Sequence, residues 1–259
     1  MKQLFISISF ILYLSLTICG QHSAYKPGEK INYEIHYGII QGGIASLELK
    51  PDTFRGKKVY HSVLVGQTTG VADAIFRVKD IYESYIDPSS ELPVFSIRNI
   101  REGRYTRYNE VIFDHTTRTD SAILTSDLTG IHITQPGIHD ILSCFYFFRN
   151  KYLPYHKKLN KGEVITIMTW FTDELYPIKL RYIGEEEIKT KIGRMKCLKF
   201  NPVTEKGRLF KTEEDVSFWF TADKNFLPVR IRFDIFVGAF VAEIVSFQGL
   251  KYPLDIIYR

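Results

Sequence analysis

The sequence predicts a mainly β protein, antiparallel, with one or two short helices. Three observations carry that reading. From Lys30 onward apolar residues recur mainly at every second position, the period of a strand with one buried face. Glycine and proline punctuate these runs at strand-length intervals. Only two stretches depart from the two-residue rhythm.

In chain order, Ile31, Tyr33, Ile35 and Tyr37 alternate with Asn32, Glu34 and His36, and Ala45, Leu47 and Leu49 alternate with Ser46, Glu48 and Lys50. The glycine-rich link from Gly38 to Gly43 suits a hairpin or bulge. The same period predicts strands over Lys57–Thr68, Lys79–Asp87, Val94–Arg101, Tyr105–Asp114, Thr119–Leu124 and Glu163–Thr172. It continues over Ile178–Ile183, Lys196–Asn201, Val216–Thr221, Val229–Phe236 and Ala239–Phe247. Glu102-Gly103 and Val237-Gly238 read as hairpin turns, and Gly184 and Gly193 as strand breaks. Pro93, Pro177 and Pro228 fall at strand starts or in loops, where a missing amide hydrogen is tolerated. Gly70–Arg77 reads as a short helix. Ile138–Asn150 reads as a second, with Ile141, Phe145 and Phe148 on one face and Asp140 at its favourable N-terminal end.

Residues 1–20 read as a signal peptide: one charge at Lys2, an apolar run from Leu4 to Ile18, then small residues. That run is shorter than the ~20 apolar residues of a membrane span. Gly20 and Gln21 flank the expected cut. The alternative is lipidation of Cys19, since Leu16-Thr17-Ile18-Cys19 resembles a lipobox, although Ile18 is bulky for that position. Export to the periplasm or outer envelope follows, lipid-anchored in the second variant, and no membrane span is expected after cleavage. Residues 21–259 read as one domain. The basic stretch 150–162 is the best candidate for a joint, but each half alone would leave a sheet face uncovered.

The 259-residue chain carries a formal net charge of +5, spread along its length and not blocked, which argues against nucleic acid as partner. Cys144 and Cys197, left after the leader, form an even pair that could bridge in an oxidising compartment. Cys144 lies among Phe and Leu, however, and two unpaired buried thiols are the favoured reading.

Catalytic signatures are missing. There is no HExxH, CxxC, GxSxG, P-loop or GxGxxG, so metal, serine-hydrolase and nucleotide chemistry lack a starting point and no cofactor is expected. His132 and His139 could meet across a loop, but an exposed or internally satisfied histidine is the simpler reading. Three acidic clusters, Asp173-Glu174, Glu185-Glu186-Glu187 and Glu213-Glu214-Asp215, fall at strand ends or turns, where carboxylates usually face water. The one excess is aromatic, with 19 Phe and 16 Tyr. Phe218-Trp219-Phe220 puts rings on both faces of a strand, and Phe145-Tyr146-Phe147-Phe148 wraps the second helix. Phe145, Phe148, Phe218, Trp219 and Phe220 are the candidates for a ligand groove, weighed against a role as plain core. On the strand from Val229, Arg230, Arg232 and Asp234 share one face and suit either an anionic ligand or an ordinary surface.

Several segments together resemble the exported bacterial family called domain of unknown function 3108. They are GEKINYEIHYGIIQGGIASLEL, DIYESYIDPSSELPVFSIRNIREGRYTRYNEVIFDH, HDILSCFYFFRN and, most closely, VSFWFTADKNFLPVRIRFDIFVGAFVAEIVSF. The resemblance implies a large antiparallel sheet curled into a roll or incomplete barrel, a single β-roll domain with helix packed against it. It implies export and brings no activity or catalytic residue. The expected function is an exported, non-enzymatic envelope protein that binds an apolar or amphiphilic ligand or an envelope partner. The competing reading is a carbohydrate-active enzyme using carboxylates from distant strands.

Overall fold

The computed structural model describes residues 23–203, 216–234 and 238–258. The signal-peptide features at Cys19, Gly20 and Gln21 lie outside the described residues. The first half contains β1 (Lys30–Tyr37), β2 (Ile40–Phe54), β3 (Lys57–Thr68), the short helix α1 (Gly70–Ile75), β4 (Lys79–Ile86), β5 (Pro93–Glu102), β6 (Tyr105–Asp114), β7 (Ala122–Ser126) and β8 (Gly130–Thr134). Next come α2 (Ile141–Lys151) and a 3-10 helix at Leu153–Lys158. The second half contains β9 (Val164–Phe171), β10 (Glu174–Thr190), β11 (Gly193–Pro202), β12 (Val216–Thr221), β13 (Pro228–Asp234) and β14 (Ala239–Gln248).

All these strands belong to one antiparallel sheet, ordered β8-β7-β6-β5-β4-β3-β2-β1-β14-β13-β12-β11-β10-β9. Two meanders are therefore joined by the first and last strands, in a ladder that runs from Lys30↔Gln248 to Tyr37↔Phe240. The expected roll or incomplete barrel is corrected by this order. The ladder is open, and its two ends, β8 and β9, are not paired with each other. The physical reason lies in the β8–β9 connection. His139 forms an isolated parallel bridge with Thr169, donating its N–H to the Met168 carbonyl (3.1 Å) and accepting from Trp170 N–H (2.7 Å). The Met168 carbonyl and Trp170 N–H of β9 are thus spent on the helix lead-in and are unavailable to β8.

Burial follows the two-residue rhythm in β1 (Ile31, Tyr33), β2 (Leu47, Leu49) and β6 (Val111, Phe113). Glycine at 184 does not break its strand. β10 runs through it, with a register shift between Tyr182 and Gly184, and Gly184 takes φ +137°, a conformation glycine tolerates. β8 has no counterpart among the expected strands, because its five residues carry too little pattern to read.

Helix α2 begins at a capping box. Asp140 accepts from Ser143 N–H at 2.7 Å, and Ser143 Oγ accepts from Asp140 N–H at 3.0 Å. Arg149 and Lys151 in its last turn suit the negative end of the helix dipole. Leu142, Cys144, Tyr146, Phe148 and Arg149 are buried, so the helix is enclosed on more than one side, in keeping with the aromatic run that wraps it. It packs on β3, β4 and β9, with the 3-10 helix beneath it, whose Leu153 is fully buried in residues 150–162. Each fully buried large apolar side chain contributes roughly 1.5–3 kcal/mol.

Candidate functional site

Strand β12 meets β11 in the register Lys199↔Trp219 and β13 in the register Trp219↔Arg230. Alternation therefore sends Phe218 and Phe220 to one face of the sheet and Trp219 to the other, with Lys199 and Arg230 on either side of it. On that second face lies a cleft of about 750 Å³, lined by His36, Lys199, Trp219, Arg230, Arg232 and Glu243 among others. This volume falls in the range of small-molecule sites.

Lys199 Nζ sits 5.1 Å from the Trp219 ring centroid and the Arg230 guanidinium carbon 5.9 Å from it, so both cations stand against the indole. Trp219 is only 6% exposed, and its Nε1 donates to Glu186, which fixes the ring. The indole supports the cations and offers little open surface of its own. Arg230 pairs with Glu243, and Arg232 with Asp234 at 2.7 Å. The hydrogen bonds to Asp234 push the Arg232 pKa up. Lys199 has no carboxylate partner among the described residues. Among the described residues that line the cleft, the three cations Lys199, Arg230 and Arg232 outnumber the two carboxylates Asp234 and Glu243.

The other groove candidates lie elsewhere. Phe145, Phe148, Phe218 and Phe220 gather in the core between α2 and the sheet, with Phe148 and Phe220 centroids 5.4 Å apart and Phe145 and Phe220 6.2 Å apart. Cys144 and Cys197 are both free and buried, in different clusters of the core. Burial pushes the Cys197 thiol up to about 12 and the Cys144 thiol higher still.

His132 packs on Trp170 and meets Thr129 Oγ1 at 2.8 Å, while His139 faces Ser143 Oγ at 3.3 Å. Glu185, Glu186 and Glu187 are exposed on β10, and Asp173 pairs with Arg107 at 3.1 Å. Glu213-Glu214-Asp215 lie outside the described residues. Among the described residues no three His, Cys, Asp or Glu side chains converge to hold a metal ion, and no helix is long and apolar enough to cross a membrane.

Sequence reasoning marked Trp219, Arg230, Arg232 and Asp234 but missed Lys199 and Glu243. The alternation of Lys196–Asn201 placed Lys199 on the face opposite Leu198 and Phe200. What it lacked was the register that sets Lys199 beside Trp219.

The family model described as "Protein of unknown function (DUF3108)" matches residues 32–245. Among curated proteins no relative matches the chain. Among solved structures the chain is similar to the beta-barrel-like protein of domain of unknown function DUF1849 from Brucella abortus. That likeness has 8% identity and a TM-score of 0.58, covers 86% of this chain and 98% of that one, and is one of fold alone. A protein with YmcC-like fold from Bacteroides fragilis aligns over 89% of this chain and 100% of its own at 9% identity, but the TM-score of 0.39 is too low to carry an argument. With the match spanning β1 to β14, this chain belongs to the family of proteins of unknown function DUF3108.

Proposed function

We propose that the protein is an exported, non-enzymatic binder of an anionic amphiphile, with the cleft around Lys199, Arg230 and Arg232 as the head-group site. One observation carries this reading: Lys199 is held over Trp219 in a 750 Å³ cleft, without a carboxylate partner among the described residues. A cation fixed by an aromatic ring is organised in advance for a carboxylate, phosphate or sulfate. Gly38 is among the residues lining the cleft, and its chain neighbour Ile39 is fully exposed, an apolar side chain available to the tail of an amphiphile. The leader-like residues 1–20 support export.

Native mass spectrometry of protein purified from its own envelope tests the proposal. The expected result is an adduct that extracts into organic solvent, rebinds, and is lost in Lys199→Glu with the fold unchanged. Protein recovered empty, and unresponsive to anionic detergent below its micelle concentration, would overturn it.

A further inference from the structure

A second pocket lies where side chains of β4, β5 and β6 approach those of β9 beside the first turn of α2. It holds about 40 Å³, and Arg98, Asn109, Leu142, Trp170 and Phe171 are among its walls. A single water needs about 10–15 Å³ on this measure, so the space matches a group of roughly three heavy atoms.

Its walls carry buried donors without acceptors. Trp170 is 8% exposed, and its indole N–H has no hydrogen-bond partner among the described residues. The Arg98 Nε and Nη1 atoms are buried and equally unpartnered. The guanidinium is held in place by rings, its carbon 4.8 Å from the Phe171 centroid and 5.9 Å from that of Tyr82. The acids at the rim are already engaged. Glu83 bonds His61 at 2.7 Å, and Asp140 bonds Ser84 at 2.5 Å and Ser143 at 2.7 Å. Both donors of the Asn109 side chain are also engaged, by Ser126 (3.0 Å) and Asp127 (2.8 Å). Arg98 is half-buried, and leaving its two buried donors without acceptors is costly, as it is for a buried indole N–H. Arg98 and Trp170 both line this one pocket.

We propose that this pocket is a receptor for a single carboxylate group, which accepts from one Arg98 guanidinium N–H and from the Trp170 indole N–H. Nε and Nη1 lie on different edges of the guanidinium, so the carboxylate presents one oxygen to a single Arg98 donor and its second oxygen to the indole. Because Arg98 belongs to β5 and Trp170 to β9, the bound group links strands from opposite halves of the sheet. The site is separate from the Lys199 cleft and does not rest on it.

The test is a titration of the full chain with sodium acetate at constant ionic strength, following the melting temperature, and a parallel titration with octanoate. The wild type is expected to melt higher with each added increment of acetate, in proportion to the logarithm of its concentration once the site fills. Trp170→Phe keeps the packing but removes the donor, and Arg98→Lys keeps the charge but removes the guanidinium donors held by the rings. Each is expected to weaken acetate about tenfold or more, while Lys199→Glu leaves the response unchanged. Octanoate equal to acetate identifies a free small acid as the occupant. Octanoate binding at least tenfold tighter, with the same sensitivity to both variants, identifies the carboxylate end of an acyl ligand. A wild type that does not respond, or responses identical in wild type, Trp170→Phe and Arg98→Lys, would mean the pocket holds only water and would overturn the proposal.

Discussion

Arg149 and Glu29 meet edge to edge in the middle of the protein, Nη1 to Oε1 at 2.6 Å and Nη2 to Oε2 at 3.0 Å, with 0% and 1% of the two side chains exposed. Arg149 also donates to the Asn225 carbonyl through Nε (3.3 Å) and Nη2 (2.8 Å), and it lies within 6 Å of the Tyr25, Phe145 and Tyr146 ring centroids. Burial opposes its charge, yet Glu29 raises its pKa further. One side chain thereby fastens α2 to the entry of β1 and to the β12–β13 turn. Removing either partner strands the other charge in the core. Glu29→Gln and Arg149→Met are each expected to lose about 3–5 kcal/mol in urea denaturation, whereas the double variant Glu29→Leu/Arg149→Met recovers much of that loss. Equal losses in single and double variants would contradict the pairing.

Two neighbouring residues at the start of α2 pull stability in opposite directions with pH. Burial raises Asp140 from 3.8 to about 6, so the folded state keeps this proton where the unfolded chain has lost it. Its contribution is complete below pH 3.8 and disappears as pH rises through about 6. Burial, with His115 nearby, lowers His139 from 6.5 to about 4. Its contribution is complete above pH 6.5 and disappears as pH falls through about 4. Each is worth about 3 kcal/mol, and across pH 4 to 6 they largely offset each other. Asp140→Asn, which keeps a good cap, is expected to expose a stability that climbs with pH over this window. His139→Gln is expected to expose one that falls. Denaturation midpoints at three pH values between 4 and 6.5 decide it, and parallel profiles for wild type and both variants would refute it.

The thiols of Cys144 and Cys197 are buried and held protonated, so neither is a nucleophile in the folded protein. An aromatic disulfide reagent is expected to label neither until denaturant unfolds the chain, at which point both react together. Rapid labelling of the native protein would show a more open core than the one described.

Gly249 is where the chain leaves β14, and it does so at φ +69° with no room for a side chain. A Cβ there would stand 1.9 Å from the Gly28 carbonyl oxygen. Past this point the tail is tied to Asn225, whose side chain accepts from Tyr252 N–H (3.0 Å) and donates to the Tyr252 (3.1 Å) and Pro253 (3.2 Å) carbonyls. Gly249→Ala is expected to cost about 2 kcal/mol or more in thermal or chemical denaturation, from strain and displaced backbone. A substitution at Gly56, which also has positive φ but open space around it, is expected to cost less.

Much of the strand pattern was legible because alternation is local. Lys57–Thr68, Tyr105–Asp114 and Val216–Thr221 coincide with β3, β6 and β12, and both helices fall within a few residues of their expected places. Asp140 was legible as the N-terminal signal of α2, although its partner in the capping box, Ser143, was not. Gly184 misled, because a glycine reads the same whether it ends a strand or fits a bulge within one. The aromatic residues misled in another way. Hydrophobicity announces burial but not whether burial is against protein or ligand. All five candidate rings belong to or pack on the core clusters, Trp219 in a different one from Phe148 and Phe220.

By itself the sequence determined the β class, the order of most strands, the placement of α2 and the family, since each is written in side-chain period, local turn chemistry and motif order. Only the tertiary structure decided that the ladder stays open, that Lys199 is held against Trp219, that Arg149 finds Glu29 across the chain, and that Arg98 and Trp170 share one small pocket. Those relationships join residues far apart in the chain. They depend on strand register and on which backbone groups are already paired, neither of which leaves a mark in local sequence.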